Sequence, residues 1–551
     1  MIPTTARWIR AAGLDALELR LEARQATWLW AILAAAFVAR TVVAAVFTDF
    51  DPATANLWEY GGIARATLEH GRMVCTFAAC HSAPPELPAG TNFVYPTAFE
   101  PPFLIFVWMG LFLLFGVTKL ALAMMTALNV LMGVGIVYYS IPVARALFGS
   151  EVIAFLVGVA MALHPVFVFS VATYHAVNAY ILLLLIMFEL TLSTRRQTYA
   201  LSVLIGVLAG IIALVRLEYL VLVGAIILGS LITHWQWKKT AVAAVVALVV
   251  IAPWTARNYA VFHRLIPVAN YVGHNLYLAY NPEANGSGKW EEIAGVKERL
   301  LGHELGAVPL DPNYENARDK VFYDAAIDYM KSHPLRSFVV LPIYRAALFW
   351  IYDAYHPVTH QLLYQLQFWP LFVLSIVGLV MAARAGCFAQ PDHRTVLVLF
   401  AFQTLVMTSF TVFARYRMNV EPFLYAYAAA GAVGLWGWLQ RWLPDPRTRP
   451  ALEATGSRYQ PDEGQNPAPE PGRPNDPIPL LVDRSTMIRA MSAALEHNET
   501  PACHRGDNKT RLDRDDIKLV AARSLAVPSA NKRQESARMT AWGVAFGSGG
   551  C

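Results

Sequence analysis

The sequence predicts an all-α, polytopic membrane protein, and three observations carry that prediction. Apolar residues make up 56% of the 551 and charged residues only 15%. The apolar residues recur in uninterrupted runs of about 16 to 26, more than a soluble core can bury and long enough to cross a bilayer as helices. The basic clusters between the runs fall on one side under a single topology. The net charge of +5 is small, and no basic stripe or motif points to nucleic acid.

Residues 1–27 read as a cytoplasmic amphipathic N-terminus. Met1 to Gln25 is charged, and no small-residue cleavage site follows the apolar run that opens near Trp28, so this run is expected to be retained. About ten spans are expected, over 28–47, 119–144, 151–172, 176–194, 199–215, 219–234, 240–256, 364–383, 395–413 and 420–441. Two further apolar segments, 101–116 and 335–352, are ambiguous. If neither crosses, Arg7/Arg10/Arg20/Arg24, Arg145, Arg195/Arg196, Lys238/Lys239, Arg384/Arg394 and Arg441/Arg447 all face the cytoplasm. The first segment is therefore expected to dip into the outer leaflet. The second, with Arg336 and Arg345 among apolar residues, is expected to lie at the interface.

This topology organises the chain into five parts. After the N-terminus comes a transmembrane core over 28–256, with a first outer loop at 48–118. An extracytoplasmic loop with interfacial helices follows over 257–363; helical patterns at Glu291 to Leu305 and Tyr314 to Met330 suggest a small cap. C-terminal transmembrane helices occupy 364–442. The remaining 443–551 turns abruptly to Pro, Asp, Arg, Gly, Asn and Ser, the composition of a disordered cytoplasmic tail. Of the five cysteines, Cys75 and Cys80 are the one close pair. They are spaced either for a local disulfide in an oxidising compartment or to stay as two free thiols.

The acidic and arginine-rich features gather on the expected outer side. Moving a sugar from a phosphate-linked carrier needs a base for the acceptor and cations for the leaving phosphate. Asp49, Asp51, Glu59 and Glu100 are the base candidates, each near apolar surface able to raise a carboxyl's pKa. Asp51, followed by Pro52, equally reads as a helix N-cap with proline at the first helical position. Arg216, Arg257, Arg415 and Arg417 stand at the outer ends of spans, where guanidinium suits a phosphate bidentately. For any one of them, lipid-headgroup anchoring is the plainer reading. Asn56 and Tyr60 share the short helix of Glu59; they, with His175, Asn178, Asn275 and Tyr277, are candidate substrate contacts. A structural role competes for His175. No motif holds a metal or requires a cofactor, and a divalent metal stays an open option.

Several strings, in order, resemble one family, the GT-C membrane glycosyltransferases of the protein O-mannosyltransferase and lipid A aminoarabinose transferase branch. They are Trp58-Glu59-Tyr60-Gly61-Gly62-Ile63-Ala64-Arg65, Pro96-Thr97-Ala98-Phe99-Glu100-Pro101-Pro102 and Ala144-Arg145-Ala146-Leu147-Phe148-Gly149. Further along stand Ala252-Pro253-Trp254-Thr255-Ala256-Arg257-Asn258-Tyr259, Asn275-Leu276-Tyr277-Leu278 with Asn281-Pro282-Glu283, and Arg415-Tyr416-Arg417 with Glu421-Pro422.

The resemblance implies a GT-C-like bundle with juxtamembrane helices in the first outer loop. It implies a polyprenyl-phosphate-linked sugar as donor and a lipid, glycan or protein as acceptor, with transfer on the outer face of the plasma (bacterial inner) membrane. Inversion at the anomeric carbon and an acidic base in the first outer loop also follow from it. One departure matters: members often carry Asp where Asn56 stands, and an acidic residue near His175 to Asn178, where this chain has none. Asn cannot accept a proton, so Glu59 or Asp51 takes the role or the chain is not catalytically competent. The expected function is thus a hexosyl- or pentosyltransferase of the cell envelope. The alternative is a non-catalytic carrier, flippase or scaffold for a lipid-linked sugar on the same fold. A transporter would place ionisable groups near the bilayer midplane; the main interior candidate, Glu189, is expected near a cytoplasmic end, which favours surface chemistry.

Overall fold

A computed structural model describes residues 3–77, 80, 91–192, 198–216, 223–229, 236–288 and 296–442. The expected tail at 443–551, Arg195/Arg196, the first part of the expected Glu291 to Leu305 helix (291–295) and most of the expected 219–234 span lie outside these residues. The rest is the helical architecture that the apolar runs predict. Its helices are α1 (Pro3–Ala11), α2 (Asp15–Ala23), α3 (Gln25–Phe47), α4 (Trp58–His70), α5 (Pro102–Phe115), α6 (Lys119–Phe148), α7 (Glu151–Leu163), α8 (Pro165–Phe169), α9 (Val177–Thr191) and α10 (Tyr199–Val215). They continue with α11 (Trp237–Phe262), α12 (Val272–Ala279), α13 (Val296–Gly306), α14 (Tyr314–Ser332), α15 (Leu341–Trp350), α16 (Leu362–Arg384), α17 (Pro391–Ser409) and α18 (Glu421–Gln440). One two-stranded antiparallel ribbon, β1 (Val74–Thr76) with β2 (Val94–Pro96), pairs Cys75 with Tyr95 in the loop between α3 and α5. Cys75 and Cys80 are joined as a disulfide.

Four described helices, α3, α6, α11 and α16, are long and apolar enough to cross a bilayer, and α7 with α8 makes a fifth if counted as one bent span. Of the other expected spans, 219–234 lies mostly outside the described residues, and several are shorter or more polar helices. Helices α9 and α10 are apolar but have 15 and 17 residues, about 22 to 26 Å at 1.5 Å per residue. Helix α17 opens on Asp392, His393 and Arg394. Helix α5, over the ambiguous 101–116 segment, has 14 residues and cannot reach across about 30 Å of hydrocarbon alone. The 335–352 segment is a π-turn (Arg336–Val340) running into α15. Leu335, Phe338 and Ile343 lie exposed along it, while Arg345 is turned inward and donates to Thr408 O and Ala279 O.

Small residues let the helices approach closely. A Cβ on Gly206 or Gly210 of α10 would press on Ala243 O and Val250 of α11; one on Gly378 of α16 would overlap Tyr427 O of α18. The N-terminal helices are docked rather than free. Glu18 of α2 is buried and accepts from Ser150 Oγ (2.8 Å), Glu151 N (2.7 Å) and Val152 N (2.9 Å). An acidic residue from another helix thus satisfies the amide donors that open α7, where a negative charge is favoured.

The bend between α7 and α8 is 51° and has a sequence cause. Pro165 has no N–H to give Met161 O, and Val166 N turns to His164 Nδ1 (3.1 Å) instead of Ala162 O. Arg40 of α3, fully buried, supplies both missing donors: Nη2 to Met161 O (3.2 Å) and Nη1 to Ala162 O (3.0 Å). The bend carries the chain into the loop before α9, where the candidate site is built.

Candidate functional site

Four segments far apart in sequence meet around His175: the start of α4, the loop between α8 and α9, the end of α10, and the 3-10 turn Ala414–Asn419 before α18. The first is set by Asn56, whose Oδ1 accepts from Trp58 N (3.0 Å) in a turn of its own that leads into α4. Trp58 itself has φ +54°, a left-handed conformation that a bulky side chain adopts only when its surroundings compel it. Its ring meets the His175 ring edge-on at 4.7 Å, and Arg415 lies over it at 5.8 Å. Tyr60, two residues on and buried, receives Arg216 Nη1 on its hydroxyl at 3.2 Å.

Arg216 ends α10 in an extended conformation that throws its side chain across the bundle. The same Nη1 stands 3.3 Å from His175 Nε2. His175 is 2% exposed, and its Nδ1 accepts from Val177 N (3.2 Å) at the start of α9. Burial first, then the Arg415 and Arg216 charges, hold its pKa well below the ordinary histidine value. The imidazole is therefore neutral at physiological pH. Arg415 stacks on Phe413 (4.3 Å) and Tyr416 (5.5 Å). Its buried Nε has no hydrogen-bond partner among the described residues. The centre thus carries two guanidinium groups walled by aromatic rings.

The other arginines expected near phosphate stand elsewhere. Arg257 donates to Thr97 O (2.8 Å), Met73 O (3.2 Å) and Asn258 Oδ1 (3.0 Å), and stacks on Trp254. Arg417 is 4% exposed, donates to Trp350 O, and lies 3.6 Å from Glu421, which also meets His164 Nε2 at 3.2 Å. Of the candidate carboxylates, Asp49 accepts from Asp51 N and Thr54 Oγ1, and Asp51 accepts from Ala53 N. Both therefore shape the turn before α4. Glu59 is half-buried on α4 between Trp58 and Tyr60, and Glu100 is buried ahead of α5. Asn178 accepts from Ser170 Oγ (2.8 Å), Asn275 is half-buried on α12, and Tyr277 packs on Phe322.

Three ionisable residues outside the sequence-derived candidates matter. Glu315 of α14 ties α14 to the first loop. It accepts from Thr97 Oγ1 (2.5 Å), Ala98 N (2.9 Å) and Asn270 Nδ2 (3.3 Å). Burial pushes its carboxyl up to about 7 against these hydrogen bonds and the Arg257 charge. Asp353, in the loop after α15, accepts from Ser287 Oγ and Tyr355 N, and burial raises it to about 6. Arg40 is the third; as the one charged residue in an apolar run of twenty, it alone carried a signal in the sequence.

Among the described residues no group of three or more His, Cys, Asp or Glu is arranged to hold a metal ion. Around His175 the charged groups acting on the ring are the guanidinium groups of Arg415 and Arg216, and Asn56, exposed just ahead of α4, offers an amide rather than a carboxylate.

No family model and no curated protein matches the chain. Solved structures do. The archaeal oligosaccharyltransferase AglB from Archaeoglobus fulgidus, in complex with an inhibitory peptide and a dolichol-phosphate, is 13% identical with a TM-score of 0.46. The alignment covers 76% of this chain and 51% of AglB, so the chain spans about half the length of that neighbour. ArnT from Cupriavidus metallidurans, bound to undecaprenyl phosphate, is 16% identical with a TM-score of 0.35, over 74% of this chain and 77% of ArnT. The chain is similar to these two proteins over about three quarters of its length.

Proposed function

We propose that the chain is a membrane glycosyltransferase that moves a sugar from a polyprenyl-phosphate donor to an acceptor hydroxyl or amine on the extracytoplasmic face of the membrane. The observation that carries this reading is the meeting of Arg216 and Arg415 at His175, against Trp58 and Tyr60 of the first loop. Two guanidinium groups in a ring-walled site favour an anion over a neutral ligand, and a phosphate has oxygens enough to accept from both. The apolar helices around them suit a polyprenyl tail.

In the proposed reaction, the acceptor heteroatom attacks the anomeric carbon as a carboxylate takes its proton. The bond from that carbon to the phosphate oxygen breaks, and the electron pair leaves with the polyprenyl phosphate. Arg216 and Arg415 stabilise the charge that grows on this leaving group. Glu59 is the favoured base, because it stands on the helix whose rings wall the arginines, whereas Asp49 and Asp51 lie in the turn before that helix. Position comes first for a general base, which must come within hydrogen-bond reach of the proton it takes.

The test is transfer from a labelled polyprenyl-phosphate sugar in proteoliposomes. Glu59→Gln is expected to lower the rate by about a hundredfold or more with the donor still bound. An unchanged rate in Glu59→Gln and in the Glu59→Gln/Asp51→Asn pair would remove the proposed base.

A further inference from the structure

His175 has a hydrogen-bonding problem that its neighbours among the described residues do not solve. Its Nδ1 accepts from Val177 N. A neutral imidazole carries one proton, so that proton is on Nε2. Yet the atom facing Nε2 at 3.3 Å is Arg216 Nη1, which has only hydrogens to offer. Two donors point at each other. Moving the proton to Nδ1 shifts the conflict to Val177 N, at a fully buried residue, where no acceptor can enter. Protonating both nitrogens is opposed by burial and by the two arginine charges. Close by, Arg415 Nε is buried without an acceptor among the described residues, so a further donor also lacks its partner.

We infer that His175 donates its Nε2–H to an anionic phosphoryl oxygen held between it, Arg216 and Arg415. One oxygen in that position accepts from the ring and from a guanidinium at once and removes the donor–donor conflict. The bound anion thus finds a site whose donors are already in place, and His175 is a specific phosphate contact rather than a sugar or acceptor contact. Asn56 and the edge of Trp58 mark the open side, since Asn56 is exposed and Trp58 half-buried while His175, Tyr60 and Val177 are closed off. The inference rests on the phosphate assignment of Arg216 and Arg415 but not on sugar transfer.

The test is binding to the purified full-length chain in nanodiscs, with a short-chain polyprenyl phosphate, the matching polyprenol and inorganic phosphate as probes. His175→Asn keeps the side-chain acceptor for Val177 N but cannot reach the anion. It is expected to weaken polyprenyl phosphate binding about tenfold or more and to leave polyprenol binding unchanged. His175→Gln, which presents an N–H at greater reach, is expected to recover part of the loss. Histidine 15N spectra are expected to show an Nε2–H tautomer whose proton moves downfield on adding the phosphate probe. The same shift with inorganic phosphate identifies the oxygen alone as the ligand; a shift confined to the lipid phosphate requires the tail to bring it in. Either outcome supports the inference. Wild-type phosphate affinity in His175→Asn, or an Nδ1–H tautomer with phosphate bound, overturns it. Intact phosphate binding in a chain that transfers no sugar would sink the transferase reading and leave this one standing.

Discussion

Arg216 Nη1 and the Tyr60 hydroxyl, 156 residues apart in the chain, are 3.2 Å apart in the fold. That contact fastens the end of α10 to the first-loop helix and orients the guanidinium toward His175. Tyr60→Phe removes the acceptor and keeps the ring. It is expected to weaken donor binding by about threefold to tenfold while thermal stability changes little. A donor affinity equal to wild type would mean that Arg216 is oriented by other contacts.

Trp58 sits at φ +54°, a backbone conformation that costs about 1 to 3 kcal/mol for a side chain of this size. Trp58→Gly relieves that cost while removing the ring that meets His175 and Arg415. The variant is expected to fold with a melting temperature near wild type and to lose most of its transfer activity. Chemical or thermal denaturation in detergent, run beside the transfer assay, separates the two effects.

Glu315 makes folding stability depend on pH. Its carboxyl titrates at about 7 in the folded chain, above the unfolded value. The folded state therefore binds more protons between the two, and stability falls as pH rises through this window. The full effect is on the order of 3 kcal/mol. Melting temperatures between pH 5 and pH 8 are expected to fall in the wild type and to fall less in Glu315→Gln. Arg257 lowers the Glu315 value, so Arg257→Met is expected to move the decline to higher pH. A wild type and a Glu315→Gln variant with the same pH dependence would contradict this.

Arg40 replaces the two helix donors lost at Pro165. Arg40→Ala leaves the carbonyls of Met161 and Ala162 without them and is expected to destabilise the fold by about 2 to 4 kcal/mol. A Cβ at Gly133 would lie 2.8 Å from Arg40 Nε and 3.1 Å from Val171. Gly133→Ala is therefore expected to be more damaging in the wild type than in Arg40→Ala, which a double-mutant cycle of melting temperatures measures.

Much of the helical frame was legible because a bilayer-length apolar run has few other solutions. Helices α3, α6, α11 and α16 fall on four expected spans, and the bend within 151–172 falls at His164-Pro165. The site was legible only as a set of candidates. Arg415 and Arg417 are two residues apart and alike in sequence, yet one stacks on Trp58 and the other is buried against Glu421. Arg417 lies over Phe368 and shares Glu421 with His164, while Arg415 meets Trp58, all from distant parts of the chain. Glu315 reads as an ordinary first-turn acid of α14; only folding brings Thr97, Ala98 and Asn270 to it. The strain at Trp58 leaves no mark in composition or periodicity.

The central claim is that Arg415, with Arg216, receives the phosphate of a lipid-linked sugar. Steady-state transfer from a labelled polyprenyl-phosphate sugar by Arg415→Gln tests it most directly, because the buried Nε of this guanidinium has no protein hydrogen-bond partner among the described residues to lose. The account predicts kcat/KM for the donor lowered about a hundredfold, the acceptor KM unchanged and the melting temperature preserved. Donor kinetics indistinguishable from wild type would contradict it.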